Sequence, residues 1–69
     1  MLMALQHETH YPYVPVGALK SFGIGPVYQV GQPLRQLENG DWMTEITLVE
    51  SGEVTEYRLS QLLQDPDVV

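Results

Sequence analysis

A chain of 69 residues holds one domain, and a domain of that size buries only about 60% of its unfolded surface, so each large apolar side chain matters. It has no cysteine, which excludes disulfides and thiolate zinc sites as staples. Lys20, Arg35 and Arg58 are the only strong bases against nine carboxylates, a formal net charge of −6, and three scattered bases cannot build the basic stripe by which nucleic-acid binders neutralise phosphates.

Residues 1–15 read as a flexible N-terminal arm. Met1 to Leu5 is briefly apolar but too short, and wrongly flanked, for a secretory signal. Two prolines in Tyr11-Pro12-Tyr13-Val14-Pro15 favour an extended path, with Tyr13 or Val14 as the candidates to pack on the domain. The domain proper is expected over 16–67, with 68–69 as a tail. Gly17 to Phe22 suggests a first short strand, with Ala18, Lys20 and Phe22 on one side and Leu19 and Ser21 on the other. Gly23-Ile24-Gly25-Pro26 is a turn. Val27 to Val30 is a compact strand, interrupted by Gly31-Gln32-Pro33, which suggests a bulge, a sharp bend or an edge.

Glu38-Asn39-Gly40-Asp41 is the strongest local signal in the chain. Asn-Gly between two strand-like runs predicts a hairpin with a two-residue type I′ turn, because both central residues need positive φ. Beyond it, Trp42, Thr44, Ile46 and Leu48 share one face, and Met43, Glu45, Thr47 and Val49 the other. Ser51-Gly52 marks a second turn, and Thr55, Tyr57 and Leu59 form the apolar side of the next strand. Glu45 and Arg58 are expected to pair across strands. Ser60 is the expected N-cap of one helical turn over Gln61 to Gln64, with Leu62 or Leu63 plugging the sheet and Asp65-Pro66 ending the turn.

With no room for crossover helices, the sheet must be antiparallel. The expected fold is mainly β: four or five short strands and one C-terminal helical turn, as a partly open SH3-like barrel or a meander with a helical cap. No run approaches the roughly 20 apolar residues of a membrane helix, so a cytoplasmic protein is expected.

The residues that invite chemistry have plainer readings. His7-Glu8-Thr9-His10 has its histidines three apart, where the zinc-protease helix needs four, and no third ligand is apparent. Glu50 and Glu53 flank a turn without the alternating ligands of a calcium loop. Gly23-Ile24-Gly25 lacks the following helix of a phosphate site. No catalytic residue, metal or cofactor is therefore expected. Among the aromatics, Trp42 serves either as a surface platform or as the centre of a small core.

From Phe22 onward the chain resembles a family of small uncharacterised bacterial proteins, a domain of unknown function. The likeness runs through Phe22-Gly23, Gly25-Pro26-Val27-Tyr28-Gln29-Val30, Gly40-Asp41-Trp42, Glu50-Ser51-Gly52-Glu53, Tyr57 and Leu63-Gln64-Asp65-Pro66. It covers about residues 16–67, leaves the histidine-bearing arm outside, and implies a bacterial, cytoplasmic origin with no activity to carry over.

The functional expectation is a non-enzymatic protein–protein interaction or regulatory module, in a narrower form antitoxin-like. Its partner is another protein or a second copy, not nucleic acid or membrane. The candidate interaction surface is Tyr28, Arg35, Trp42, Tyr57 and Arg58. The alternative is a small-ligand-binding or accessory enzyme subunit, with those aromatics lining a groove and Arg35 or Arg58 as polar anchors.

Overall fold

A computed structural model describes residues 11–68. It contains strands β1 (Leu19–Ser21), β2 (Val27–Gln36), β3 (Trp42–Leu48) and β4 (Val54–Arg58), followed by a short helix α1 (Leu59–Leu62). The strands pair antiparallel in chain order, β1-β2-β3-β4. Of the two expected architectures this is the meander: the sheet is open and the helix caps it.

Period-two patterning decides the two faces. Tyr28, Val30, Thr44 and Ile46 point to one side and are buried, and Leu59 and Leu62 of α1 close over them. Spacing of i and i+3 puts both leucines on the inner side of a single helical turn. Leu63 remains exposed, so Leu62 is the plug. Val14, Ala18, Phe22, Trp42, Leu48 and Tyr57 pack around this centre. Trp42 therefore sits at the margin of the core, only half-buried, and the fully buried aromatic is Tyr28.

β2 is bent by two bulges. Val30 pairs with Ile46 and Pro33 with Thr44, then Arg35 with Met43, so β2 spends one extra residue in each interval. Gly31 lies in the first. A Cβ there would stand 2.9 Å from the Glu45 backbone oxygen, so the close approach of the two strands requires glycine.

The first hairpin differs from the expected two-residue turn. The Leu37 N–H donates to the Asp41 carbonyl (2.7 Å) and the Gly40 N–H to the Leu37 carbonyl (3.0 Å), which leaves a three-residue loop with Gly40 at φ 93°. This is the next commonest hairpin connection, with glycine in the left-handed position. The Asn39 side chain accepts from the Asp41 N–H (2.9 Å), a local bond that favours the wider loop.

The helix begins earlier than Ser60. Arg58 is the N-cap, still extended at φ −69° and ψ 135°, and its own side chain caps nothing. Strand β4 turns directly into α1 because Leu59 continues the inward alternation of Tyr57. Ahead of β1, the Gly17 N–H donates to the Val30 carbonyl (2.8 Å) and the Val30 N–H to the Ala18 carbonyl (2.9 Å). Val14 packs on the core from this segment, whereas Tyr13 is 77% exposed.

Candidate functional site

The densest polar constellation gathers where the chain leaves α1. Tyr28 on β2 and Tyr57 on β4 lie on the core face, their rings 5.6 Å apart, with the Phe22 ring 4.6 Å from Tyr28 and 5.0 Å from Tyr57. Both hydroxyls donate to the same atom, Asp65 Oδ2, at 2.6 Å from Tyr28 and 3.0 Å from Tyr57. Burial and the Asp65 bond both push the Tyr28 phenol above its ordinary pKa, burial contributing more; Tyr57 is raised for the same reasons in the same order. Both tyrosines thus stay neutral donors, holding a carboxylate that can only accept.

Lys20 completes the constellation. It occupies the core side of β1, is 6% exposed, and sends its ammonium to the Asp65 carbonyl (2.9 Å) and to Asp67 Oδ1 (3.1 Å). A buried lysine persists only with such partners. The backbone adds two bonds: the Ser21 N–H to the Pro66 carbonyl (3.1 Å) and the Val68 N–H to the Leu19 carbonyl (2.8 Å). Residues 65–68 are thereby strapped along the outer edge of β1, with Lys20 opposite Asp67 in an antiparallel bridge.

A second polar group ties the first hairpin to the helix. Asp41 accepts from the Ser60 hydroxyl (2.6 Å), the Ser60 N–H (3.1 Å) and the Trp42 N–H (2.8 Å). The Ser60 hydroxyl bond, chiefly, holds the Asp41 carboxyl below the usual carboxylate range. A residue nineteen positions away therefore does the capping expected of Ser60, and Ser60 becomes its donor.

The five residues of the expected interaction surface do not converge. Tyr28 is fully buried and belongs to no surface. Tyr57 and Trp42 share the core face with it, Tyr57 bonded to Asp65 and Trp42 half-buried with the Tyr11 ring 5.9 Å away. Arg35 and Arg58 lie on the opposite face, flanking Met43 in one row across β2, β3 and β4. Arg35 reaches across β3 to Glu56 Oε1 (2.9 Å), which raises the arginine and lowers the glutamate pKa. The expected Glu45–Arg58 pair is absent among the described residues; the register sets Glu45 opposite Glu56, and Arg35 is the cation that offsets these two carboxylates. The sheet itself separates the aromatics from the arginines, because odd and even positions of a strand face opposite ways. Glu50 and Glu53 stay exposed at the second turn. His7, Glu8 and His10 lie outside the described residues.

Asp65, Asp41 and Lys20 are the polar centres that motif reading passes over. The signal for Lys20 was its place between Ala18 and Phe22 on an otherwise apolar side. Asp65 and Asp41 carry no local mark, since their partners are distant in sequence.

A family model described as "Family of unknown function (DUF5397)" matches residues 7–69. The chain belongs to this family. The match starts at residue 7, so the segment with His7, Glu8 and His10 falls inside the family and not beyond it, as the resemblance from Phe22 onward implied. An uncharacterised protein of Haemophilus influenzae is similar to this chain, 47% identical over 55 residues, which is 78% of this chain and 87% of the relative. The family is thus found in a bacterium, and neither comparison names an activity. No helix of the described residues is long and apolar enough to cross a membrane.

Proposed function

We propose that this chain is a non-enzymatic interaction module that binds a basic protein partner. The observation that supports it is the disposition of charge in the fold. Of three strong bases, Lys20 is buried against Asp65 and Asp67 and Arg35 is paired with Glu56. Glu38, Glu50, Glu53 and Asp67 stay exposed. Each ion pair takes one carboxylate with its base, Asp67 with Lys20 and Glu56 with Arg35, so the acid excess of the composition remains on the fold, and such a field steers a basic partner toward it. The close-set polar groups, meanwhile, are committed to holding the fold: Tyr28, Tyr57 and Lys20 to Asp65, and Ser60 to Asp41. In a narrower form the module is regulatory and antitoxin-like, encoded beside the basic protein it restrains.

Affinity capture from a bacterial lysate at low and high salt tests the proposal. The expected result is a specific basic protein, released as ionic strength rises. Retention of no specific basic protein, or of one that high salt does not release, would overturn it. Tyr28 is fully buried, so the aromatics left for the small-ligand alternative are Trp42 and Tyr57, both half-buried.

A further inference from the structure

The geometry points to the edge of β4, unpaired among the described residues, as the docking site, taking an extended segment of the partner as an added antiparallel strand with a basic residue opposite Glu56. The mode rests on the proposal of a basic protein partner and specifies how that partner is held.

The two ends of the sheet are treated differently. The outer edge of β1 is occupied by the chain's own residues 66–68, through the Pro66 carbonyl and the Val68 N–H. Beyond β1, the far half of β2 carries two bulges and Pro33, features that blunt an edge against pairing. β4 is the last strand of the sheet, and Val54, Thr55, Glu56 and Arg58 are exposed, Val54 by 58%.

Its backbone is aligned to accept a strand. The Leu48 N–H donates to the Glu53 carbonyl (2.8 Å), which fixes the alternation in this hairpin. Thr55 and Tyr57 then bond inward to Ile46 and Thr44, Val54 and Glu56 turn their N–H and C=O groups outward, and Arg58, whose carbonyl as N-cap takes the first bond of α1, turns its N–H outward. Two outward donor–acceptor positions and one further N–H are what strand addition uses.

The side chains say what fits. A second copy pairing over the full strand sets Glu56 against Glu56 of its twin, a like-charge contact that opposes self-addition. Glu56 already accepts from Arg35, and Glu45 stands next to it across the ladder, so two carboxylates share one arginine and a lysine or arginine of the partner opposite Glu56 evens the charge. Opposite Arg58 a neutral or acidic residue fits. Residues opposite Thr55 and Tyr57 fall on the core face, beside the half-buried Tyr57 ring, and are apolar. The expected segment therefore alternates, with apolar residues on one side and a central base on the other.

The test is a titration of the 15N-labelled chain with the capped peptide Thr-Val-Lys-Val-Thr and its counterpart carrying glutamate at the centre. The expected result is saturable amide shifts confined to β4 and its neighbours, slowed exchange at the Val54, Glu56 and Arg58 amides, and binding roughly fivefold weaker for the glutamate peptide. Val54→Pro deletes one outward N–H and leaves the β3 ladder whole, so the variant is expected to keep its dispersed spectrum and lose peptide binding. If Val54→Pro unfolds the chain, Glu56→Lys serves instead, and reverses the preference between the peptides. Equal response to both peptides, shifts mapping elsewhere, no shifts at millimolar peptide, or concentration-dependent self-pairing through β4 would each overturn the inference. Capture of the basic partner by Val54→Pro as well as by the parent chain overturns the edge mode alone and leaves the proposed partner class standing.

Discussion

Removing the carboxylate at position 65 is the sharpest test of what holds this domain together. In Asp65→Ala the fully buried Tyr28 hydroxyl loses its acceptor, an orphaned buried donor that costs about 1–3 kcal/mol. Tyr57 loses a second charge-assisted bond, worth about 1 kcal/mol more at its half-buried position. The expected total is about 3 kcal/mol, a large share of the stability of a domain this small, and at 4–8 °C per kcal/mol it lowers Tm by about 12–24 °C. Asp65→Asn keeps an oxygen acceptor without the charge and is expected to cost about half as much. The decisive variant is Tyr28→Phe in the Asp65→Ala background. It deletes the orphaned hydroxyl and should restore about 1–2 kcal/mol, although Tyr28→Phe alone is destabilising. Urea unfolding followed by the fluorescence of Trp42, the single tryptophan, reads the parent chain and all four variants. If Tyr28→Phe brings no recovery in that background, the two hydroxyls do not depend on Asp65 and the reasoning fails.

The same phenol gives a pH dependence. The Tyr28 pKa lies above its ordinary 10.0 in the folded state, so its stabilising contribution is whole below pH 10 and is lost as pH climbs toward the folded value; Tyr28→Phe should flatten this alkaline fall in unfolding free energy. Asp41 works in the opposite sense. Its folded pKa lies below the ordinary 3.8, so its contribution is present above that value and lost as pH falls through the folded one, and Asp41→Asn or Ser60→Ala should flatten the acid limb of a stability–pH curve. Thr44→Val should raise stability by about 1 kcal/mol in urea unfolding, because the Thr44 hydroxyl is fully buried and finds no partner among the described residues. Gly31→Ala should lower it by about 1–3 kcal/mol through the clash with the Glu45 backbone, with amide shifts centred on the first bulge.

Much of the fold is legible in the sequence because period two leaves a direct trace. Trp42, Thr44, Ile46 and Leu48 alternate cleanly and share the core face, and Gly31-Gln32-Pro33 does mark a bulge. Asn39-Gly40 announces the hairpin, but the loop length depends on the Asn39 side-chain bond to the Asp41 N–H, which the dipeptide alone does not reveal. The helix start was displaced because a carboxylate nineteen residues earlier supplies the cap, and no local pattern encodes that. The interaction surface was the least legible part. Chemical type alone groups Tyr28, Arg35, Trp42, Tyr57 and Arg58, whereas the strand register sends the aromatics and the arginines to opposite faces. Asp65 reads in sequence as a residue before proline that ends a helix, and only the fold shows two phenols converging on it.

The clasp around Asp65 also governs time. Its bonds join residues 37 and 45 positions apart, Tyr28 to Asp65 and Lys20 to the Asp65 carbonyl, whereas the β2–β3 and β3–β4 hairpins close over short loops. Loop-closure entropy makes such distant contacts late events, so the sheet forms first and residues 65–68 lock onto it afterwards. Substitutions in the clasp then leave the folding rate nearly unchanged and accelerate unfolding. The sheet sets how fast the native state is reached, and one carboxylate sets how long it lasts.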